Sequence, residues 1–305
     1  LIAFLIATLG SFGDETSMFY RPNIELRFFN YHLKNEGAND LPEAYMFETG
    51  ANQWRTFSQW PPSAEVCDEA SLYLGDNGAL VMNGAPTETA IAFDEFISDP
   101  ARPVPFTEAI ATGMTKEYMT DDQRFASRRT DVLTYQTAVL EQDVTLAGPL
   151  LAELWVSTSM QDADWVVKLI DVLPPDAAPP EGFESARPWG GYQMMVRSEV
   201  IRGRYRNSYV KPEPFEPGQP TFVDLPLQDV LHTFKKGHRI MVQIQSTWFP
   251  LVDRNPQKWV DNIFEADETD FTKATHRVYR SADHPTRLRV NILHPAAPTT
   301  KNQGN

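Results

Sequence analysis

The chain has 305 residues, 42% of them hydrophobic and 22% charged, an ordinary composition for a globular protein with a sizeable core. A net charge of -14 and an isoelectric point near 4.9 argue against nucleic acid and against an anionic membrane surface as partners. The single cysteine, Cys67, excludes an internal disulfide framework and a cysteine-rich metal site, and no stretch approaches the ~20 apolar residues of a membrane span.

Leu1 to Leu9 is a short apolar run with no basic residue before it, so it does not match a signal peptide. A helix is expected over 22–34. Pro22 suits a first helical position, and Leu26, Phe29 and Leu33 fall on one face. Asn35, Gly37, Asn39 and Asp40 end it with turn residues. Strand signals follow at 43–49 and 53–60, the latter stopped by Pro61 and Pro62.

Further strands are expected at 70–74 and 79–82, around a hairpin turn at Gly75-Asp76-Asn77-Gly78. Residues 98–130 read as irregular, with a short helix inside 118–127. Strands resume at 132–137, 144–146, 150–157 and 164–173. An exposed loop rich in proline and alanine covers 174–188. Alternation returns through Tyr192, Met194, Val196 and Val200, then at 221–225 and 287–293. In 239–245, Ile240, Val242 and Ile244 alternate with Met241, Gln243 and Gln245, as in a strand with one face in a core. Residues 294–305 read as a disordered tail. Many short strands, 24 prolines and little helix after residue 60 point to a mainly β, jelly-roll sandwich.

Chemistry is hard to find. No Gly-x-Ser-x-Gly elbow occurs; Gly10-Ser11-Phe12-Gly13 has the wrong spacing and reads as a linker. The histidines are His32, His232, His238, His276, His284 and His294, none in a metal-ligand spacing, and each reads as structural or solvated. Asp162, Asp164 and Asp171 are the densest carboxylates beside a strand. They lack the later ligands of a calcium loop and read as capping or turn residues. Asp253, Arg254 and Asn255 suit a charge-assisted loop contact. Trp248, Phe249 and Trp259 suit either a sugar platform or packing, and burial expectations favour packing.

Four segments carry a family resemblance: Arg129-Thr130-Asp131-Val132-Leu133-Thr134-Tyr135, Asp143-Val144-Thr145-Leu146-Ala147-Gly148-Pro149, Ala152-Glu153-Leu154-Trp155, and Asp162-Ala163-Asp164-Trp165-Val166-Val167-Lys168. Gly190-Gly191-Tyr192-Gln193, Arg202-Gly203-Arg204-Tyr205-Arg206-Asn207-Ser208 and 237–256 extend it. Together these resemble the C-terminal domain of the cocaine-esterase and X-prolyl dipeptidyl-peptidase family, especially its α-amino-acid ester hydrolases and glutaryl-type cephalosporin acylases. The resemblance spans roughly residues 16–293.

The resemblance implies a galactose-binding-like jelly roll over 61–293, preceded over 1–60 by a remnant helix and strand of an α/β-hydrolase domain. Tyr20, Arg21 and 24–34 resemble that domain's last helix. Enzymes of the family carry a Ser-Asp-His triad and a helical cap in their other parts. Leu1–Phe12 stands where the family's triad histidine is expected and contains no histidine. No catalytic residue, cofactor or metal is therefore carried over. The expected reading is the C-terminal, non-catalytic part of a serine hydrolase acting on α-amino esters, β-lactam side-chain amides or X-Pro dipeptides. Its implied partners are the hydrolase and cap domains, with self-association into a homo-oligomer. The expected docking surface comprises Trp248, Phe249, Pro250, Leu251, Asp253 and Arg254, with Phe28 and Phe29. Many members of the family are exported, which leaves the compartment open. The alternative is a stand-alone carbohydrate-binding or interaction module.

Overall fold

The structure is a computed structural model that describes residues 16–295 except 112, 114, 116 and 180–187. The chain opens with helix α1 (Thr16–Tyr20), a π-helical turn over Arg21–Glu25, and α2 (Leu26–Lys34). Pro22 therefore lies inside the helical run and does not start it. Its missing N–H and its ring widen the helix locally into the π turn. Asn35, at φ 58°, closes α2 in the left-handed conformation that asparagine tolerates.

Strands β1 (Ala44–Glu48) and β2 (Gln53–Phe57) form a separate two-stranded sheet. They are followed by β3 (Cys67–Leu74), β4 (Leu80–Met82), β5 (Phe93–Ser98), the short helix α3 (Arg124–Ser127) and β6 (Val132–Gln136). Next come β7 (Val144–Thr158), β8 (Asp164–Val172), β9 (Gln193–Arg202) and β10 (Thr221–Phe234). The series ends with β11 (Arg239–Gln245), β12 (Ala274–Ser281), β13 (His284–Pro285) and β14 (Arg287–Leu293).

Eight strands make one sheet, in the order β13-β12-β7-β14-β3-β4, with β10 on the other edge of β7 and β5 on β12. Four make the facing sheet, β6-β11-β8-β9. All named pairings are antiparallel. The expected jelly-roll-type sandwich is therefore present. Its core lies between the sheets, where Leu72, Leu146, Leu154 and Val156 of the large sheet meet Trp165, Leu169, Ile240 and Ile244 of the small one.

The expectation of one buried and one open face on β11 does not hold. Ile240, Val242 and Ile244 enter the main core, and Met241, Gln243 and Gln245 on the opposite face are buried too. β8 is likewise buried on both faces. The cover comes from the segment that read as irregular. Val104 and Ala126 meet Val132 in one small cluster, and Phe106 meets Val166 and Trp248 in another.

Strands β5 and β12 were not anticipated. β12 places His276 and Ser281 at inward positions, and β5 turns Ile97 outward and Ser98 inward, so neither shows an apolar alternation. β10 also runs nine residues past the expected end at 225. A break in register between Leu227 and Val230 lets it bend together with β7 at Gly148.

The hairpin of β1 and β2 is fixed to the sandwich by backbone bonds. Thr49 donates to Leu231 O at 3.2 Å and accepts from Thr233 N at 2.9 Å. Gly50 makes this approach feasible: at φ +80°, a Cβ would stand 2.1 Å from Thr233 O. Gly37, at φ +85°, has open space around it. Gly50→Ala is expected to cost more than about 2 kcal/mol in denaturant unfolding, and Gly37→Ala only the ~1–2 kcal/mol of a left-handed residue. Equal costs for the two variants would contradict the close-approach role.

Candidate functional site

Two hydroxyl–imidazole pairs decide whether the described residues hold hydrolytic chemistry. Ser246 Oγ lies 3.1 Å from His276 Nε2, bridging the two sheets. Both residues are buried, and the other ring nitrogen of His276 has no hydrogen-bond partner. A triad base needs a carboxylate at that nitrogen. Burial also pushes the His276 pKa down to about 3, too weak for a general base near neutral pH. This pair is a structural tie.

The second pair belongs to a longer chain. Thr49 Oγ1 is 2.8 Å from His232 Nδ1, and His232 Nε2 is 3.3 Å from Asp171 Oδ2. The sequence of groups mimics nucleophile, base and acid. The surroundings do not: His232 and Asp171 are each 1% exposed, and Thr49 Oγ1 also bonds Leu231 O at 3.2 Å. The other oxygen of Asp171 receives His238 Nδ1 at 2.8 Å. Burial alone would raise the Asp171 pKa, but the bonds from His232 and His238 outweigh it and hold the carboxyl below its usual range. One carboxylate thus joins β8, β10, β11 and the hairpin. It clamps them and offers no path to a substrate.

Asp164 and Asp171 are therefore pairing residues within β8, which corrects the capping and turn reading for them, whereas Asp162, in the β7–β8 turn, accepts from Ala163 N at 2.9 Å as that reading expects and pairs as well. Asp162 takes Arg204 Nε at 2.6 Å, with both side chains buried. Asp164, inside β8, takes Arg202 at 3.1 Å and Asn255 Nδ2 at 2.7 Å. Arg202 also reaches Asp253 at 3.0 Å, so the loop after β11 is tied to the end of β8. His238 and His232 have the structural roles expected of them. Gly10, Ser11, Phe12 and Gly13 lie outside the described residues, as do 296–305. Among the described residues no group of three or more His, Cys, Asp or Glu side chains can hold a metal ion.

Sequence reading missed Lys168. It faces the cover on β8 and is fully buried. Its Nζ donates to Gln123 Oε1 at 2.9 Å and lies 4.8 Å from the ring centre of Trp248. Burial alone pushes its pKa down to about 7. The available signal was a lysine flanked by Val166, Val167, Leu169 and Ile170, a run too apolar for a solvent-facing strand.

The expected docking residues divide. Trp248 is only 5% exposed and packs within the chain on Phe106 and Val166, with Tyr118 edge-on at 5.8 Å. Its ring is consumed by the cover, so it is unavailable to a partner. Phe249 is 39% exposed and precedes Pro250, also exposed, through a cis peptide bond. Leu251 packs into the Trp248 cluster, Asp253 pairs with Arg202, and Arg254 reaches Glu268 at 3.0 Å and stacks on Phe271.

On the helix, Phe19 packs against Tyr45 and Trp54 of the hairpin. Phe28 and Phe29 are 46% and 47% exposed, beside exposed Leu26 and Leu33. The helix–hairpin unit joins the sandwich near Asp171, whereas Asp253 joins near Asp164. Seven residues of strand separate those two points, roughly 23 Å. Phe28 and Phe29 are thus carried by the helix–hairpin unit and Phe249 by the loop after β11.

Residues 36–289 match the family model described as the X-Pro dipeptidyl-peptidase C-terminal non-catalytic domain. The chain belongs to that family. The family is described as a non-catalytic domain, and among the described residues the two hydroxyl–imidazole pairs are both structural. The chain is 30% identical over 277 residues to cocaine esterase from Rhodococcus sp. (strain MB1 Bresler), covering 87% of this chain and 45% of that protein. It is similar to a crystal structure of an aminopeptidase from a marine sediment Thaumarchaeota archaeon, with a TM-score of 0.85 and 41% identity over 94% of this chain and 46% of that one. A selenomethionine-labelled α-amino acid ester hydrolase gives a TM-score of 0.85 and 37% identity over 95% of this chain and 48% of that one. The chain thus spans about half the length of the relatives it matches.

Lys168 gives this domain a testable pH dependence. Its pKa falls from 10.5 to about 7 on folding, so between those values the unfolded chain holds a proton that the folded chain lacks. Stability therefore rises as pH increases from about 7 towards 10.5, and the burden of the buried amine, on the order of 4–5 kcal/mol, is complete below pH 7. Lys168→Met is expected to gain stability over the parent at pH 6 and to lose most of that advantage by pH 10. Denaturant midpoints across this range test it; a difference that does not change with pH would contradict it.

Proposed function

We propose that this domain is the C-terminal, non-catalytic module of a serine ester or amide hydrolase, and that it works by docking onto an α/β-hydrolase domain and its cap. The observation that carries the reading is the pairing of family membership with exposed apolar side chains on the helix–hairpin unit and at Phe249. Large aromatics held half open on ordered elements suit burial by a partner surface. The relatives named as cocaine esterase, aminopeptidase and α-amino acid ester hydrolase support acyl ester or amide cleavage, including α-amino esters, β-lactam side-chain amides and X-Pro dipeptides, as the activity of the assembled enzyme.

In this reading residues 1–60 belong with the hydrolase domain and 61–293 form the jelly roll. The separate β1–β2 sheet and its few backbone bonds to β10 support that division. The Asp171 clamp then fixes the angle between the two parts, since it ties Thr49 to β8 and β11 through buried, hydrogen-bonded groups.

The alternative of a carbohydrate platform at Trp248 and Phe249 loses its main support, because Trp248 is buried in the cover.

Two measurements test the proposal. A fluorophosphonate probe is expected to leave the purified chain unlabelled; stoichiometric labelling of a serine would overturn the non-catalytic assignment. The chain is also expected to self-associate through its uncovered aromatics at high concentration. Phe28→Ser with Phe29→Ser should weaken this by about tenfold, corresponding to ~1.4 kcal/mol of lost apolar burial. Monodisperse monomer by light scattering in the parent chain would count against docking through this face.

A further inference from the structure

A second surface of the sandwich has a different chemistry. Midway along β7 the large sheet opens. Between Arg289 and Ile292, three steps on β14, the partner on β7 moves from Leu151 to Leu146, five steps. Gly148, at φ +98°, and Pro149 take up the excess as a bulge. Bulges of this kind re-aim neighbouring side chains and are over-represented beside functional sites. Here the opening leaves a groove of about 410 Å³ on the face turned away from the core, over β3, β14 and β7. That volume lies in the range of small-molecule sites.

The lining is polar and carries charges of both signs. Arg289 lies 3.6 Å from Glu69 and 3.5 Å from Glu153, and Arg287 pairs with Glu153 and donates to Tyr73 OH at 2.8 Å. Of the lining residues Arg287 and Arg289 are cationic and Glu69 anionic, and Glu153 with Asp224 opposite it on β10 adds two carboxylates beside them, so charges of both signs are interleaved along the groove. Asn83 Oδ1 accepts from Ser71 N at 2.9 Å, which fixes that amide with its Nδ2 uncommitted. The hydroxyl of Ser71 and the amide of Asn291 make no side-chain hydrogen bond among the described residues. Leu151 and Pro149 supply an apolar strip along the same groove.

Interleaved charges of both signs suit a ligand that donates and accepts over a short span without a strong charge of its own, and Leu151 and Pro149 suit one that presents a C–H face. We propose that this groove binds a neutral, hydroxyl-rich ligand of mono- or disaccharide size. Arg289 and Glu69 engage adjacent hydroxyls as donor and acceptor. Asn291, Asn83 and Ser71 complete the polar ring, while the strip takes the apolar face of the sugar. The site is independent of the docking patches and of the reading given above for them.

Saturation-transfer NMR and calorimetry on the full chain test the proposal, with glucose, galactose, mannose, maltose and cellobiose as probes and acetate and phosphate as charged controls. At least one sugar is expected to bind saturably. Arg289→Ala and Asn291→Ala, each with an unchanged melting temperature, should weaken it by about tenfold or more through lost hydrogen bonds. Phe249→Ser should leave it unchanged. Where Arg289→Ala does not fold, Asn291→Ala and Asn83→Ala carry the test. The proposal is overturned if none of the five sugars binds, if binding ignores these lining variants, or if acetate or phosphate binds in preference to every sugar.

Discussion

The pairing of β8 with β11 is the constraint on which the rest of the structure depends. Both strands are buried on both faces, although their pairing is antiparallel. An antiparallel sheet usually leaves one face to water. Here that face must be covered, and no complete third sheet is present among the described residues to do it. The chain uses loop segments, fastened by polar contacts. Val104 N bonds Thr247 Oγ1 at 2.7 Å, Phe106 N bonds Phe249 O at 2.9 Å, and Gln123 holds Lys168. Backbone groups brought inside a protein must find partners. These contacts supply them while Phe106, Trp248 and Ala126 exclude water.

This explains which parts of the fold were legible in the sequence. Strands whose inward residues are apolar, such as 150–157 and 239–245, could be read directly from their alternation. Strands that place polar groups inward could not. His276 in β12 faces the core with its Nε2 paired to Ser246 Oγ, and nothing local in the sequence announces that partner. The cover at 98–130 read as irregular, and locally it is; its role depends on Trp248, more than a hundred residues away. Lys168 could have been suspected from its apolar neighbours, but its uncharged surroundings are a tertiary property.

The candidate site was legible to a smaller extent. Phe28, Phe29 and Phe249 kept the exposure expected of docking residues, and Trp248 did not. The Asp171 clamp escaped notice because its members sit far apart in the chain and none has a ligand-like spacing. It also shows why functional groups alone do not establish a function. A hydroxyl, an imidazole and a carboxylate stand here in catalytic order, yet all three are used up holding elements together. What distinguishes an active site is access, an oxyanion-stabilising pair of donors and an imidazole free to exchange its proton.

The position of β14 has a consequence for how the chain acquires this structure. β14 is the last strand in chain order, yet it inserts between β3 and β7 in the middle of the large sheet. Until it arrives, the facing edges of β3 and β7 have no partner, and they lie more than seventy residues apart in sequence. Sheets closed by such distant pairings form slowly, because the entropy of loop closure is spent before the contacts reward it. During synthesis, two open edges rich in leucine and alanine therefore wait for residues 287–293, and such edges are the templates on which chains join wrongly. The same arrangement makes the finished sheet hard to unzip from its end, since its last-made strand is interior.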